Sequence, residues 1–325
     1  MNSMKAAVLH SPGGPEALRL ETRPIPVPQA GQVLIRVKGF GLNRSELFTR
    51  LGLSPSVKLP RVLGIEAVGL VENSPGGEFR EGDMVATVMG GMGRQFDGSY
   101  AEYTCVPVNQ VLAIRTKLPW ETLAAIPEML QTAWGSLFKS LALKTGEILL
   151  VRGGTTSVGL AAASIANRSG ATVAATTRNQ TRESLLRSAG VQHVFLDSGA
   201  IASQVRATFP HGVDKVLELV GVTSLGDSLQ CARPGGIACM TGMVGNKWSF
   251  ENFAPMEVIP AAVCLTTYAG GVSDFMSMPL QDLVNQIEGG ELPVQIGKVY
   301  PLDDIVEAHR AMETNQAGGK IVVLP

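Results

Sequence analysis

Cysteine is scarce in this chain. Four occur in 325 residues: Cys105, Cys231, Cys239 and Cys264, with no C-x-x-C pair and no histidine at metal-ligand spacing from any of them. That excludes a disulfide scaffold or a zinc ribbon and predicts reduced, mostly buried thiols. Neither sign of charge is in excess. With 27 Lys and Arg against 28 Asp and Glu, the net charge is -1, and no field exists to draw in nucleic acid or an anionic membrane. Aromatics make up 5% of the chain, and no Lys/Arg cluster is interleaved with them as an RNA-binding track requires. Also missing are an apolar run of membrane-spanning length and, in MNSMKAAVLH, a signal-peptide core or an Arg-rich transit pattern. The expectation is a soluble, cytoplasmic protein acting on small molecules.

Glycine and proline are plentiful, 37 and 19, but dispersed. They punctuate many short elements and mark no disordered segment, and no internal repeat is visible. Length admits two domains. The most informative stretch is Ile148 to Ala166, ILLVRGGTTSVGLAAASIA, an apolar strand, a tight Gly/Ser/Thr loop and an Ala-rich helix. A helix that starts in such a loop points unpaired N–H groups and its positive dipole end outward, ready for a pyrophosphate. The loop departs from G-x-G-x-x-G, with Gly153, Thr156 and Gly159 at the key places.

Up to about Trp120 the chain reads as β-rich: Lys5 to Leu9, Gln32 to Phe40, Val68 to Asn73 and Met84 to Val88 are short apolar or alternating runs. A helical stretch from Thr122 to Leu141 then leads into strand-loop-helix units of about thirty residues. Thr172 to Thr177, Val194 to Leu196, Val213 to Leu219 and Gly236 to Thr241 are the later strands, and a doubly wound parallel sheet follows from right-handed crossovers. Met278 to Gly289 and Leu302 to Glu313 read as helices and Gly319 to Leu324 as a strand that returns to the first domain. The domains are therefore placed at 1–120 with 266–325 and at 121–265.

In order along the chain stand GLNRSELFTR (41–50), RVLGIEAVGLV (61–71), FREGDMV (79–85), GSYAEY (98–103), ETLAAIP (121–127), QTAW (131–134), LKTGEILLVRGGTTSVGLAA (143–162), RPGG (233–236), YPLDDIVEAHRAME (300–313) and GGKIVVLP (318–325). Through these landmarks the chain resembles the zinc-independent quinone oxidoreductase branch of the medium-chain dehydrogenase/reductase superfamily. The resemblance implies a Rossmann domain and a β-rich, partly barrel-like (GroES-like) catalytic domain, with hydride passing in the cleft between them. It also makes absences informative. Zinc alcohol dehydrogenases of the superfamily have a ligand Cys where this chain has Asn43 and a ligand His where it has Ile65. The third ligand position, near Glu128 to Leu130, has no Cys, and Glu66 alone cannot hold a catalytic zinc. No metal is expected, and the favoured reaction is hydride delivery to an already electrophilic quinone or α,β-unsaturated carbonyl.

Gly153, Gly154, Thr156, Ser157, Val158 and Gly159 are assigned to the pyrophosphate, with backbone amides as donors and the Thr156 and Ser157 hydroxyls as additions. At the end of the second Rossmann strand an NAD site has an acidic residue for the ribose. Here stand Thr176, Thr177, Arg178 and Asn179, with no carboxylate before Glu183, so Arg178 and Arg182 favour the 2′-phosphate of NADPH. Gly242, Met243 and Val244 follow the fifth strand, where a nicotinamide lies. The resemblance puts Asn43, the catalytic candidate, beside the nicotinamide, Thr132 on a helix facing the cofactor, and Lys320 near it. Asn43 also reads as a helix cap, Thr132 as an interior threonine and Lys320 as a solvated strand lysine.

Many quinone reductases of this kind have Tyr where this chain has Phe48, and solvent can protonate the reduced product. Tyr100 and Tyr103 read as structural; Tyr268 remains a further phenol. His193, His211 and His309 read as sheet-edge, surface or packing residues, and Met276 and Met278 as core or dimer contact. A homodimer is implied, with Val263 to Gly271 as the edge strand available to extend the sheet. An enoyl-thioester reductase and a non-catalytic NADPH-binding protein are the alternatives.

Overall fold

A computed structural model of the chain describes residues 3–247, 249–314 and 317–325. It divides into two compact units, one of Met1–Glu128, Gly271–Gly289 and Val294–Pro325, the other of Met129–Gly270 and Gly290–Pro293.

The first unit is mostly antiparallel sheet. Its elements are β1 (Ser3–Leu9), β2 (Leu18–Pro24), β3 (Gln32–Gly41), α1 (Arg44–Arg50), β4 (Arg61–Val62), β5 (Glu66–Asn73), β6 (Met84–Val88), β7 (Tyr103–Pro107), β8 (Val111–Ala113) and α2 (Trp120–Ala124). β1 lies between β2 and β4, and β3 and β5 are central in a larger sheet with β6, β7 and β8. The sheets stay open: neither closes into a full barrel among the described residues, in keeping with the β-rich, GroES-like unit expected. β2, β7 and β8 escape the periodicity reading. LRLETRP in β2 is largely exposed and polar, and it is a strand because its backbone pairs with β1 from Ser3↔Pro24 to Leu9↔Leu18. Strand propensity here is a property of the partner, not of the segment.

The C-terminal segments β15 (Ile296–Pro301), α11 (Ile305–Glu313) and β16 (Lys320–Leu324) belong to this unit, as do α9 (Val272–Ser277) and α10 (Leu280–Glu288). β16 is parallel to β15 and antiparallel to β3, with Val322 opposite Gly41 and Val323 opposite Phe40. The core includes Phe40 stacked on Tyr100 at 4.8 Å, and the Tyr100 hydroxyl is 2.9 Å from His309 Nε2.

The second unit is a doubly wound sheet. β9 (Ile148–Arg152), α4 (Ser157–Arg168), β10 (Thr172–Thr177), α5 (Glu183–Ser188), β11 (His193–Leu196), α6 (Ala202–Thr208), β12 (Val213–Glu218), α7 (Val222–Cys231), β13 (Ala232–Met240), α8 (Pro255–Val258) and β14 (Cys264–Thr267) alternate along the chain. The strands are parallel in the order β11-β10-β9-β12-β13-β14. The order reverses between β9 and β12, the switch point where such sheets bind ligands. The helical stretch expected from Thr122 to Leu141 is broken instead. α2 stops at Ala124, α3 (Pro127–Gly135) restarts at a proline that suits a first turn but not an interior, and Ser136–Ser140 forms a wider π turn. No helix among the described residues is long and apolar enough to cross a membrane.

Candidate active site

The residues singled out by sequence fall into two groups, one in each unit. In the parallel-sheet unit they gather at the carboxyl edge. The loop after β9 is drawn tight by Thr176: Gly153 N–H donates to Thr176 Oγ1 at 3.0 Å and Gly154 N–H to the Thr176 carbonyl at 3.1 Å. Those two amides, expected as donors to the pyrophosphate, are spent inside the protein, as is the Thr176 hydroxyl. The Thr156 hydroxyl is committed too. It donates to the Gly153 carbonyl at 2.9 Å and accepts from Gly159 N–H at 3.0 Å as the cap of α4. The N–H groups of Thr155, Ser157 and Val158 have no acceptor among the described residues. These three are the donors the helix start offers an anion. Gly159 is forced by close approach: a Cβ there would lie 2.7 Å from the carbonyl oxygens of Gly153 and Gly154.

At the end of β10, Thr177 Oγ1 donates to the Asn179 carbonyl at 3.0 Å and receives the Asn179 N–H at 3.2 Å, folding a tight turn. Arg178 and Arg182 extend from it, exposed and without a carboxylate among the described residues. The acidic residue near them, Asp197 beyond β11, is held at 2.9 Å by the fully buried Arg152. Gly242 and Val244 donate to the carbonyls of Glu218 and Leu219, so Gly242 to Val244 lie against the end of β12. Glu218, not foreseen from sequence, shapes that edge: its carboxylate accepts the amides of Val220 at 2.6 Å and Gly221 at 2.9 Å. Thr132, half-buried on α3, stands one turn before Ser136, whose hydroxyl meets Thr241 Oγ1 at 2.9 Å beside Gly242.

In the β-rich unit, Asn43 and Lys320 are brought together. The β16–β3 register sets Lys320 against the turn that follows β3, and its ammonium donates to Asn43 Oδ1 at 2.5 Å. The same ammonium lies 2.9 Å from Glu66 Oε1 and 3.6 Å from Glu128 Oε2. Asn43 Nδ2 donates to Glu66 at 2.9 Å. Glu46, on the first turn of α1, accepts the N–H groups of Asn43 at 3.1 Å and Ile65 at 3.2 Å. Lys320 is therefore a buried ion, not a solvated strand lysine, and Asn43 is both helix start and hydrogen-bond hub. Burial pushes the Glu46 carboxyl up to about 8, and the Glu66 carboxylate adds to the rise. Burial also opposes charge on Lys320, but Glu66 and Glu128 outweigh it and hold its pKa above the ordinary lysine value. The family's zinc does not fit here. Asn43 and Ile65 are not ligands for it, and a fixed ammonium already sits on Glu66; among the described residues no three of His, Cys, Asp and Glu are grouped to hold a metal.

Tyr100 and His309 are buried in the core, and burial lowers the His309 pKa to about 3 with the Arg50 charge adding to the effect. Tyr103 lies under the Arg36 guanidinium, and Tyr268 packs on Gly135. His193 meets Phe209 edge-on, and His211 is exposed. Met278 is buried and Met276 exposed; all four cysteines are free. Cys231 and Cys239 are buried, Cys105 is partly buried and Cys264 is exposed.

Comparison with known proteins agrees with this architecture. Residues 29–116 match the alcohol dehydrogenase GroES-like domain and residues 189–323 the zinc-binding dehydrogenase family. A human quinone oxidoreductase is 28% identical, with 99% of this chain and 98% of that protein aligned. A 2-haloacrylate reductase from a Burkholderia species is 26% identical over 98% of each. A mycobacterial protein solved in complex with NADPH superposes with a TM-score of 0.88 at 27% identity, over 99% of this chain and 100% of that one. The chain is thus similar over almost its whole length to quinone oxidoreductases and to a reductase of a halogenated alkene, and it is an oxidoreductase whose two halves match a GroES-like and a dehydrogenase domain.

Proposed function

We propose that the protein is a metal-independent, NADPH-dependent reductase that passes a hydride to a quinone or an α,β-unsaturated carbonyl compound. The observation that carries the reading is a pair of features on the parallel-sheet unit: the amides of Thr155, Ser157 and Val158 and the cations Arg178 and Arg182, none of which has an acceptor or a carboxylate partner among the described residues. The amides suit the pyrophosphate and the arginines the 2′-phosphate. When bound, NADPH supplies the hydride from its nicotinamide. Thr132 and Gly242 to Val244 would border that ring. The mycobacterial relative's complex and the names of the human and Burkholderia relatives support both halves of the proposal.

Asn43 is proposed to orient the acceptor carbonyl. Its Oδ1 is held by Lys320 and one Nδ2 hydrogen by Glu66, while the other has only long contacts, 3.4 Å to Glu46 and 3.5 Å to the Gly41 carbonyl. That second hydrogen is the donor available to a substrate oxygen. Lys320 acts through Asn43 as a positioning residue and places a fixed positive charge where zinc enzymes of the superfamily hold their metal. The Lys320 charge is itself balanced by Glu66 and Glu128, so the preorganised group offered to a developing oxyanion is the Asn43 Nδ2–H. A homodimer extending the sheet across β14, which has no paired strand on its outer side among the described residues, completes the proposal.

The test is oxidation of NADPH and NADH by the purified protein against quinones, enones and enoyl thioesters. Turnover preferring NADPH is expected, and Arg178→Ala should lower that preference about tenfold, the worth of one charge-assisted contact. NADPH binding without reduction of any acceptor would replace the reductase by the dinucleotide-binding protein.

A further inference from the structure

One cation of the β-rich unit, Arg94, stands beside this site with no carboxylate partner among the described residues. The segment from Met89 to Tyr100 is fastened at both ends to the stretch from Val62 to Ile65, just before Glu66: Met89 N–H donates to the Ile65 carbonyl at 2.7 Å, Gly98 to Val62 at 2.8 Å and Tyr100 to Leu63 at 3.0 Å. Its middle presses on the same backbone, since a Cβ on Gly93, at φ +72°, would lie 2.6 Å from the Gly64 carbonyl oxygen. Arg94 follows Gly93, and its N–H closes a turn on the Gly91 carbonyl at 3.1 Å. The loop is thus held, and the side chain it projects is aimed at α1.

There the Arg94 Nη2 donates to the Ser45 hydroxyl, two residues after Asn43, while Nε is buried with no acceptor. The comparison within the same unit is instructive. Two other inward-facing arginines of this unit, Arg50 and Arg61, each meet a carboxylate, Glu313 and Asp97. Arg94 meets a neutral hydroxyl and no carboxylate among the described residues. On α1 the half-buried residues are Arg44, Ser45 and Phe48, and the buried ones are Glu46, Leu47, Thr49 and Arg50. The Glu46 carboxyl accepts the Asn43 and Ile65 amides and makes no ion pair with Arg94. A half-buried guanidinium fork with unmet donors is built for a planar anion.

We propose that Arg94 and Ser45 form an acceptor subsite for a carboxylate, so that the substrates reduced best carry an anionic group beside the electrophilic alkene or quinone. The inference rests on the reductase reading and narrows its substrate class. Asn43 holds the carbonyl being activated, and Arg94 reads the charge.

The experiment compares monomethyl fumarate, an anion, with dimethyl fumarate, its neutral counterpart, in NADPH oxidation by the wild type, Arg94→Gln and Arg94→Lys, with menadione as a neutral quinone. The quantity read is the ratio of kcat/KM for the monoester to that for the diester within each protein. Arg94→Gln should lower this ratio about tenfold or more, chiefly through KM of the monoester, and Arg94→Lys should restore most of it. An unchanged ratio, or equal loss on both esters, overturns the subsite. If menadione is reduced but neither ester is, or if nothing is reduced, calorimetric titration of monomethyl fumarate into the NADPH-loaded protein decides the matter. Binding lost in Arg94→Gln and kept in Arg94→Lys supports the subsite, and binding absent or unaffected overturns it. Failure of menadione and every other acceptor, by contrast, strikes the reductase reading itself.

Discussion

Lys320 is the residue on which the β-rich site turns. Its ammonium is the counter-charge for Glu66 and Glu128, all three being largely withdrawn from water. Removing one partner of such a buried set leaves uncompensated charge, so Lys320→Met should lower unfolding free energy by about 3–5 kcal/mol, measured by urea denaturation. Glu46 gives the site a pH signature. Its folded value of about 8 lies above the ordinary carboxyl value of 4.5, so between the two the native state holds a proton that the unfolded state has released. Stability contributed by that proton is complete below the unfolded value and is lost as pH rises through about 8. Glu46→Gln should flatten the decline of stability between about pH 5 and about pH 9 in denaturation curves; an unaltered slope would assign the titration elsewhere. His309 acts with the opposite sign. Its folded value of about 3 lies below the ordinary 6.5, so its contribution is complete above 6.5 and is lost as pH falls toward about 3.

At the scale of elements, the loop between β9 and α4 shows what local sequence can and cannot specify. Small residues between an apolar strand and an Ala-rich helix were enough to read the motif, because strand, turn and helix start are set by neighbours along the chain. Which amides stay open was not legible, since Thr176, at the end of the adjacent strand, consumes those of Gly153 and Gly154. Gly159→Ala would push a methyl against the Gly153 and Gly154 carbonyls, with the nearest contact at 2.7 Å. It should cost about 1–3 kcal/mol and weaken NADPH binding about tenfold or more in fluorescence titration. Thr156→Val removes the cap of α4 and should cost about 1 kcal/mol in thermal or urea unfolding. Among the strands missed from sequence, β2, β7 and β8 fail for a related reason: each is defined by the strand it pairs with, and its own composition is nearly silent.

At the scale of the whole molecule, the proposed dimer makes β14 the element to test. Tyr268 N–H points back to Met240 at 3.4 Å, so by the two-residue period of a strand the amides of Leu265 and Thr267 face away from β13. Thr267→Pro removes one outward donor, and light scattering should show a mass near twice the chain for the wild type and a shift toward the single chain for the variant. The sequence by itself determined the parallel-sheet unit, the lack of metal-ligand side chains at Asn43 and Ile65, and the arginines that follow β10 in place of a carboxylate. Each of these is a local property, readable from side-chain chemistry and short-range periodicity. Only the tertiary structure decided that Lys320 meets Asn43 across 277 residues of chain, and that Arg94 reaches Ser45 across 49. Those encounters depend on sheet register and on loop anchoring, and a buried charge takes its state from whichever partners the fold delivers to it.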